Sequence, residues 1–322
     1  MMNKFFNALP GDDLFWRRLA QALPVLVFAT FVAFSLLKLV PGDIAVTLAG
    51  DNATDARIEE IRKLYGLDRS FLAQYFSWVG NAVQGDLSKS LLTGEPVSVS
   101  IARCLPHTAL IVVLAMFFSF LIGAPLGVLA ASRQGGWVDS MVMSLASLGV
   151  AVPSFWLAML LISVFSLDLA WFPVTGSVVF STDPLSSIHH ATLPALALAA
   201  GGIAEISRQL RGSLMELLAS QQVRTLHAKG LSPMLILWKH GMKNVGVNLL
   251  TVLTLMANRM LAATVVIEAV FAIPGMGSLI VKAALQRDFP VVQGVVLAMV
   301  VIVLLLNLLA DLLYGVIDPR VK

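Results

Sequence analysis

A chain of 322 residues in which 58% are hydrophobic and only 13% charged does not fit a surface that faces water. The formal net charge of +3, with basic residues spread over loops rather than gathered in one stripe, excludes a nucleic-acid footprint. A single cysteine, Cys104, excludes an internal disulfide and a cysteine metal site.

Lipid must therefore cover most of the chain. A bilayer core about 30 Å thick needs roughly 20 mainly apolar residues per helical span, because unpaired backbone groups are not tolerated in hydrocarbon. The first such stretch, residues 19–40 (Leu19 to Val40), follows a short amino terminus, residues 1–18, and ends at Pro41-Gly42-Asp43. It is longer than a signal core and no small-x-small cleavage site closes it, so a retained span is predicted. A polar segment, residues 41–107, comes next, with helical pieces expected at Asp55 to Leu64 and Phe71 to Val83. Residues 108–317 then form the transmembrane core, with spans expected at Thr108 to Ala131, Met141 to Leu167, Ala191 to Ile206, Val245 to Ile267 and Val291 to Val316. Pro125, Pro153 and Pro194 are positioned to kink these spans. Gly123 and Gly127 have the spacing that lets helices approach closely, a spacing that also arises often in apolar sequence.

The expectation is an all-α integral membrane protein of about six transmembrane helices, with a large first external loop. Arginine and lysine cluster in the amino terminus, at Arg133, from Arg208 to Lys243, and in the tail 318–322, which the positive-inside rule makes cytoplasmic. Both termini are then inside. Segment 41–107 carries Arg57, Arg62, Lys63 and Arg69, but loops longer than about 60 residues translocate largely regardless of charge.

The segment 214–243 between the fourth and fifth spans is too charged to cross a membrane. Ser220 can start a short helix through Val223, Leu226 and Lys229, which Gly230 would close in the left-handed region. Ser232 and Pro233 have the chemistry of an N-cap and first helical position, so a second helix is expected through Leu237 and Trp238. Taken alone, this helix-break-helix pattern suits either a docking elbow or an amphipathic segment resting on headgroups.

Val223-Arg224-Thr225, Ala228-Lys229-Gly230-Leu231, His240 and Asn244 resemble the coupling loop of binding-protein-dependent ABC importers, in the branch that carries peptides and nickel. Further motifs of that branch's first permease subunit recur in order: Gly66-Leu67-Asp68, Gln74-Tyr75, Gly85-Asp86-Leu87, Pro153-Ser154-Phe155-Trp156, Glu268-Ala269-Val270-Phe271, Pro274-Gly275-Met276-Gly277, Arg287 through Gly294, and Asp318-Pro319-Arg320. Departures are Gln221 and Gln222 for an acidic and aromatic pair, Leu226-His227 for alanine-arginine, and Asn248 for proline.

The resemblance implies a permease subunit in a bacterial inner membrane, surrounded by lipid and paired with a second permease. It implies an external solute-binding protein and two cytoplasmic ATP-binding subunits, which hold ATP and magnesium; this chain binds no cofactor. Arg224, Ala228, Lys229, Gly230 and Leu231 would dock the ATPase. The implied cargo is a di- or oligopeptide, with nickel or a metal chelate as the alternative.

No GxxxxGK[ST], HExxH or GxSxG motif occurs, so neither an ATP site nor a familiar hydrolase constellation is expected, and an intramembrane nucleophile-base pair is not evident. An ion-coupled secondary transporter would need midplane carboxylates and commonly inverted repeats, neither of which is evident. Asn258 and Arg259 lie inside the fifth span, where an uncompensated charge costs at least about 2.5–3.5 kcal/mol. Glu268 is too far along the helix to pair with Arg259, leaving two readings: a pore-facing group that meets a peptide carboxylate, or a bridge to another subunit. Asn307 and Asp311 read better as caps or pairs than as cargo contacts. His189-His190 point about 100° apart on a helix and are poor joint metal ligands.

Overall fold

The computed structural model describes residues 12–39, 45–46, 53–64, 66–232, 235 and 242–317. Helix α1 spans Asp12–Leu39, and α2 (Asp55–Leu64) and α3 (Phe71–Val83) follow at the positions expected for the polar segment. Ser70 caps α3 by accepting the N–H of Ala73 at 3.4 Å. Helix α4 is long, Val97–Ser132, and α5 covers Trp137–Ala151.

The stretch Met141 to Leu167, expected as one span, is instead a broken pair: α5 and a second helix, Ser154–Asp168, meet at 98°. The cause is Pro153, which removes a donor and pushes the preceding Val152 out of the helical region, to φ −80° and ψ 122°. Past the corner, α6 (Ser154–Leu161) loosens into a π-helical stretch, Ile162–Asp168. Helix α7, Pro184–Leu218, is 35 residues long and contains the whole fourth apolar stretch. Its start has Asp183 accepting from Ser186 N–H at 3.1 Å and Pro184 in the first turn, where a missing donor costs nothing. Helices α8 (Gln221–Ala228), α9 (Met242–Val270), α10 (Met276–Leu285) and α11 (Phe289–Ile317) complete the chain.

Among the described residues, Val97–Ser132, Val245–Val270 and Phe289–Tyr314 are each long and apolar enough to cross a bilayer, and the bent α5–α6 pair is so when taken together. No strand is present among them, only an isolated bridge between Lys89 and Pro96.

The chain divides into two compact units. The first comprises Met1–Leu105 and Ser278–Leu304. Its core is aromatic: Phe34, Tyr75 and Trp78 are buried, Phe34 meets Tyr75 edge-on at 5.6 Å, and the Tyr75 hydroxyl donates to Val27 O at 3.2 Å. The loop before α4 folds back on itself. Val97 N–H reaches Ser88 O at 3.0 Å, and Ser90 N–H reaches Glu95 O at 2.9 Å. Arg103, then Ser100, hydrogen-bond the Glu95 carboxyl and hold it below the usual carboxylate range. Asp288 pins the same loop, accepting from the Ser90 hydroxyl and, at 3.1 Å, from Leu91 N–H.

The second unit comprises Pro106–Gly277 and Leu305–Lys322, and α7 is its axis. Gly123 and Gly127 of α4 lie against the α7 backbone so closely that a Cβ on either would sit 2.8 Å from a carbonyl oxygen, of Ile203 or of Ser207. The Ser207 hydroxyl donates across this seam to Gly123 O at 3.1 Å, and Ser119 donates to Ala199 O at 3.2 Å. Arg211 of α7 closes the α5 side with a two-pronged pair to Asp139, at 2.5 and 2.7 Å.

The end of α9 is locked by one buried carboxylate. Glu268, 0% exposed, accepts from the Thr108 hydroxyl at 2.6 Å, and Thr108 in turn accepts from Met276 N–H at 2.8 Å. A Cβ on Gly275 would collide with that carboxyl group, and one on Gly277 would lie only 2.5 Å from Val265 Cα. These contacts explain why positions 275 and 277 of the turn are glycines beside a glutamate.

Candidate functional site

Two places in the second unit carry the residues singled out by sequence. The first is the segment after α7. Ser220 accepts Val223 N–H at 3.4 Å and so starts α8. At the other end Gly230 takes φ +77°, and Leu231 N–H returns to Leu226 O at 3.3 Å while Lys229 N–H reaches Thr225 O at 3.1 Å. That six-to-one return is a Schellman closure, which only a residue free of a Cβ adopts without strain.

The helix is two-faced. Val223 is buried, whereas Arg224, Ala228, Lys229 and Gly230 are exposed and Leu231 is half-buried. Ser232 accepts Leu235 N–H at 3.4 Å, the geometry of a second helix start. The rest of the predicted second helix, with Pro233, Leu237, Trp238 and His240, lies outside the described residues, as do Pro41-Gly42-Asp43 and Asp318-Pro319-Arg320.

The second place is a cavity of about 270 Å³ at the corner of the broken pair, walled by Val152 and Ser154 from the corner, Gly201 and Glu205 from α7, and Met256 and Arg259 from α9. Arg259 forms an ion pair with Glu205, 54 residues earlier. The Arg259 side chain is 63% exposed and that of Glu205 27%. The partner that sequence reasoning leaves unassigned is thus within the same chain. One signal points to it: Glu205 is the sole carboxylate of the fourth apolar stretch.

Asn258, one position earlier, turns away from this cavity and donates to Asn307 Oδ1 of α11 at 2.9 Å. The two residues proposed together from sequence therefore occupy different surroundings, as adjacent helical positions about 100° apart do. His189 bonds the Trp171 carbonyl at 2.9 Å and His190 that of Ser186 at 2.8 Å, so the rings engage separate partners.

Comparison with known proteins bears on the chain as a whole. Residues 123–322 match the family model "Binding-protein-dependent transport system inner membrane component", and residues 13–111 match the corresponding amino-terminal model. A Brucella abortus (strain 2308) protein carrying a peptide-transport-permease name is 41% identical over 309 residues, covering 96% of this chain and 98% of that one. The oligopeptide transport system permease of Bacillus subtilis (strain 168) is 35% identical, covering 95% and 98%. Among solved structures, the methionine ABC transporter MetNI superposes with a TM-score of 0.58 at 18% identity, over 68% of this chain and 96% of that chain. At that identity the likeness speaks to the fold.

Proposed function

Because the chain belongs to the binding-protein-dependent transport system inner membrane component family, we propose that it is the permease subunit of an ABC importer that moves di- or oligopeptides across a bacterial inner membrane. It is a transport subunit and not an enzyme. In this reading a second permease completes the pore, an external binding protein delivers cargo, and two separate subunits hold ATP and magnesium. Both termini, like segment 214–243, face the cytoplasm.

The observation that carries the reading is the closed, exposed helix α8. Arg224, Ala228, Lys229, Gly230 and Leu231 form the ATPase-docking surface, with Val223 anchoring it from beneath. A short helix fixed at both ends moves as a body when a partner groove closes. Replacing Gly230 by valine forces a β-branched residue to φ +77°. In the complete complex reconstituted in vesicles with its binding protein, Gly230→Val should insert normally yet lower ATP-driven dipeptide uptake by about tenfold or more, which corresponds to about 1.4 kcal/mol of lost coupling. Unchanged uptake would remove the docking role; a parallel arm with chelated nickel reads the cargo.

Arg259 is the residue we assign to the substrate pathway, as the exposed cation of the corner cavity. Arg259→Ala should reduce uptake of peptides with a free carboxyl terminus several-fold more than uptake of their amides. An equal loss for both would make the residue structural.

A further inference from the structure

The first unit contains a larger cavity, of about 440 Å³, that the transport reading does not use. We propose that it binds a small amphipathic anion: Arg69 and Lys89 meet a carboxylate or phosphate, and Phe34, Trp78 and Phe289 cover an apolar body.

The lining holds two cations and no carboxylate. The nearby acids are already engaged. Asp288 accepts from Ser90 and Leu91, and Glu95 is held by Arg103 and Ser100. Among the described residues, neither Arg69 nor Lys89 has a carboxylate partner, and both are exposed cations at the border of an aromatic-walled space. Trp78, 8% exposed, adds an indole N–H that has no acceptor among the described residues. The volume falls in the range of small-molecule sites, roughly 300–1,000 Å³, and the mixture of apolar wall and few polar groups is the composition of such sites.

The site is also built rather than incidental. Gln74 donates to Leu67 O at 3.2 Å and to Arg69 O at 2.8 Å, which fixes the loop that carries Arg69. Gly66 stands at φ +64° beneath the Arg69 side chain, whose Nε would be 3.5 Å from a Cβ there. Asp86 accepts Ser88 N–H at 2.8 Å and Asp288 holds Ser90, so Lys89 is fixed from both sides. Two neighbouring motifs, Gly66-Leu67-Asp68 and Gln74-Tyr75, and a distant one, Arg287 through Gly294, thereby each contribute residues to one cavity.

The oxyanion has two possible sources with the same chemistry: the free carboxyl of a peptide or the phosphate of a lipid headgroup. The peptide source rests on the transport reading and the lipid source does not; loss of that reading is scored by Gly230→Val, independently of this site.

The test is calorimetric titration of the intact permease complex in detergent with alanyl-phenylalanine, its carboxyl-terminal amide, dihexanoyl phosphatidylglycerol and dihexanoylglycerol. Saturable binding of the acid over its amide assigns a peptide site, and binding of the phospholipid over the neutral glyceride assigns a headgroup site. In either case the double variant R69Q/K89Q should weaken binding at least about tenfold, the loss expected for charge-assisted contacts. R69K/K89R, which retains both charges, should bind within a few-fold of wild type. Saturable binding by none of the four probes, undiminished binding to R69Q/K89Q, or equal loss in R69K/K89R would overturn the proposal.

Discussion

A chain carrying both Gly123→Ala and Gly127→Ala is expected to lose several kcal/mol of stability, about 1–3 at each position, the usual cost of overpacking a fitted contact. Each added Cβ would lie 2.8 Å from a backbone oxygen of α7, and Gly127 would also bring one to 3.0 Å from Leu210 Cβ. Backbone in the middle of a 35-residue helix cannot step aside, so α4 and α7 must separate along their seam. Gly202→Ala is the deciding comparison. Its Cβ would strike Ser119 Oγ and come within 2.7 Å of Met256 Sδ and 2.9 Å of Met260 Cε, but every one of those atoms belongs to a side chain and none to the backbone. Methionines repack and a hydroxyl rotates. Thermal unfolding in detergent should therefore rank Gly127→Ala below Gly202→Ala; the reverse order would mean that distance alone, rather than what is struck, sets the cost.

Glu268→Ala is the second large effect, at about 2–5 kcal/mol for the orphaned donor and the cavity together. The substitution leaves the Thr108 hydroxyl without its acceptor in a fully buried site and opens space beside Gly275, whose missing side chain is what admits the carboxyl group. Glu268→Gln keeps the shape and an acceptor oxygen for Thr108, and should cost appreciably less. The same unfolding measurement distinguishes them, and limited proteolysis within the turn 271–277 reports whether the damage is local. Equal midpoints for wild type and Glu268→Ala would show that Thr108 and Met276 hold this turn without the carboxylate.

Much of this architecture is legible in the order of the amino acids alone, because local chemistry carries it. Ser220 and Gly230 bound α8 since a cap hydroxyl and a left-handed glycine act within one turn of chain. The apolar lengths of α4, α9 and α11 are equally local. Pro153 announces a kink, yet not an angle of 98°, because the direction in which a broken helix departs is set by what it packs against. Pairings over long separations are the least legible. Nothing near Arg259 names Glu205, 54 residues away, and nothing near Glu268 names Thr108, 160 residues away. The glycine pair at 123 and 127 has the right spacing, but only the facing carbonyls of Ile203 and Ser207 distinguish a real seam from a common coincidence. The cation-lined cavity of the first unit is invisible for the same reason, since its walls come from motifs more than 200 residues apart.

The corner at Pro153 has a consequence for hydration. Irregular backbone at membrane depth persists only where protein buries it or where water reaches it. Val152 and Ser154 flank that break and line the cavity containing Glu205 and Arg259, with the arginine side chain 63% exposed. A pocket of this kind, once water fills it, would have a dielectric closer to that of solvent than of hydrocarbon. There the Glu205–Arg259 attraction falls to the roughly 0–1 kcal/mol of a solvated pair. Under the proposed transport reading, the pair would act as a latch that thermal motion opens, and an arriving carboxylate would compete for Arg259 on nearly equal terms.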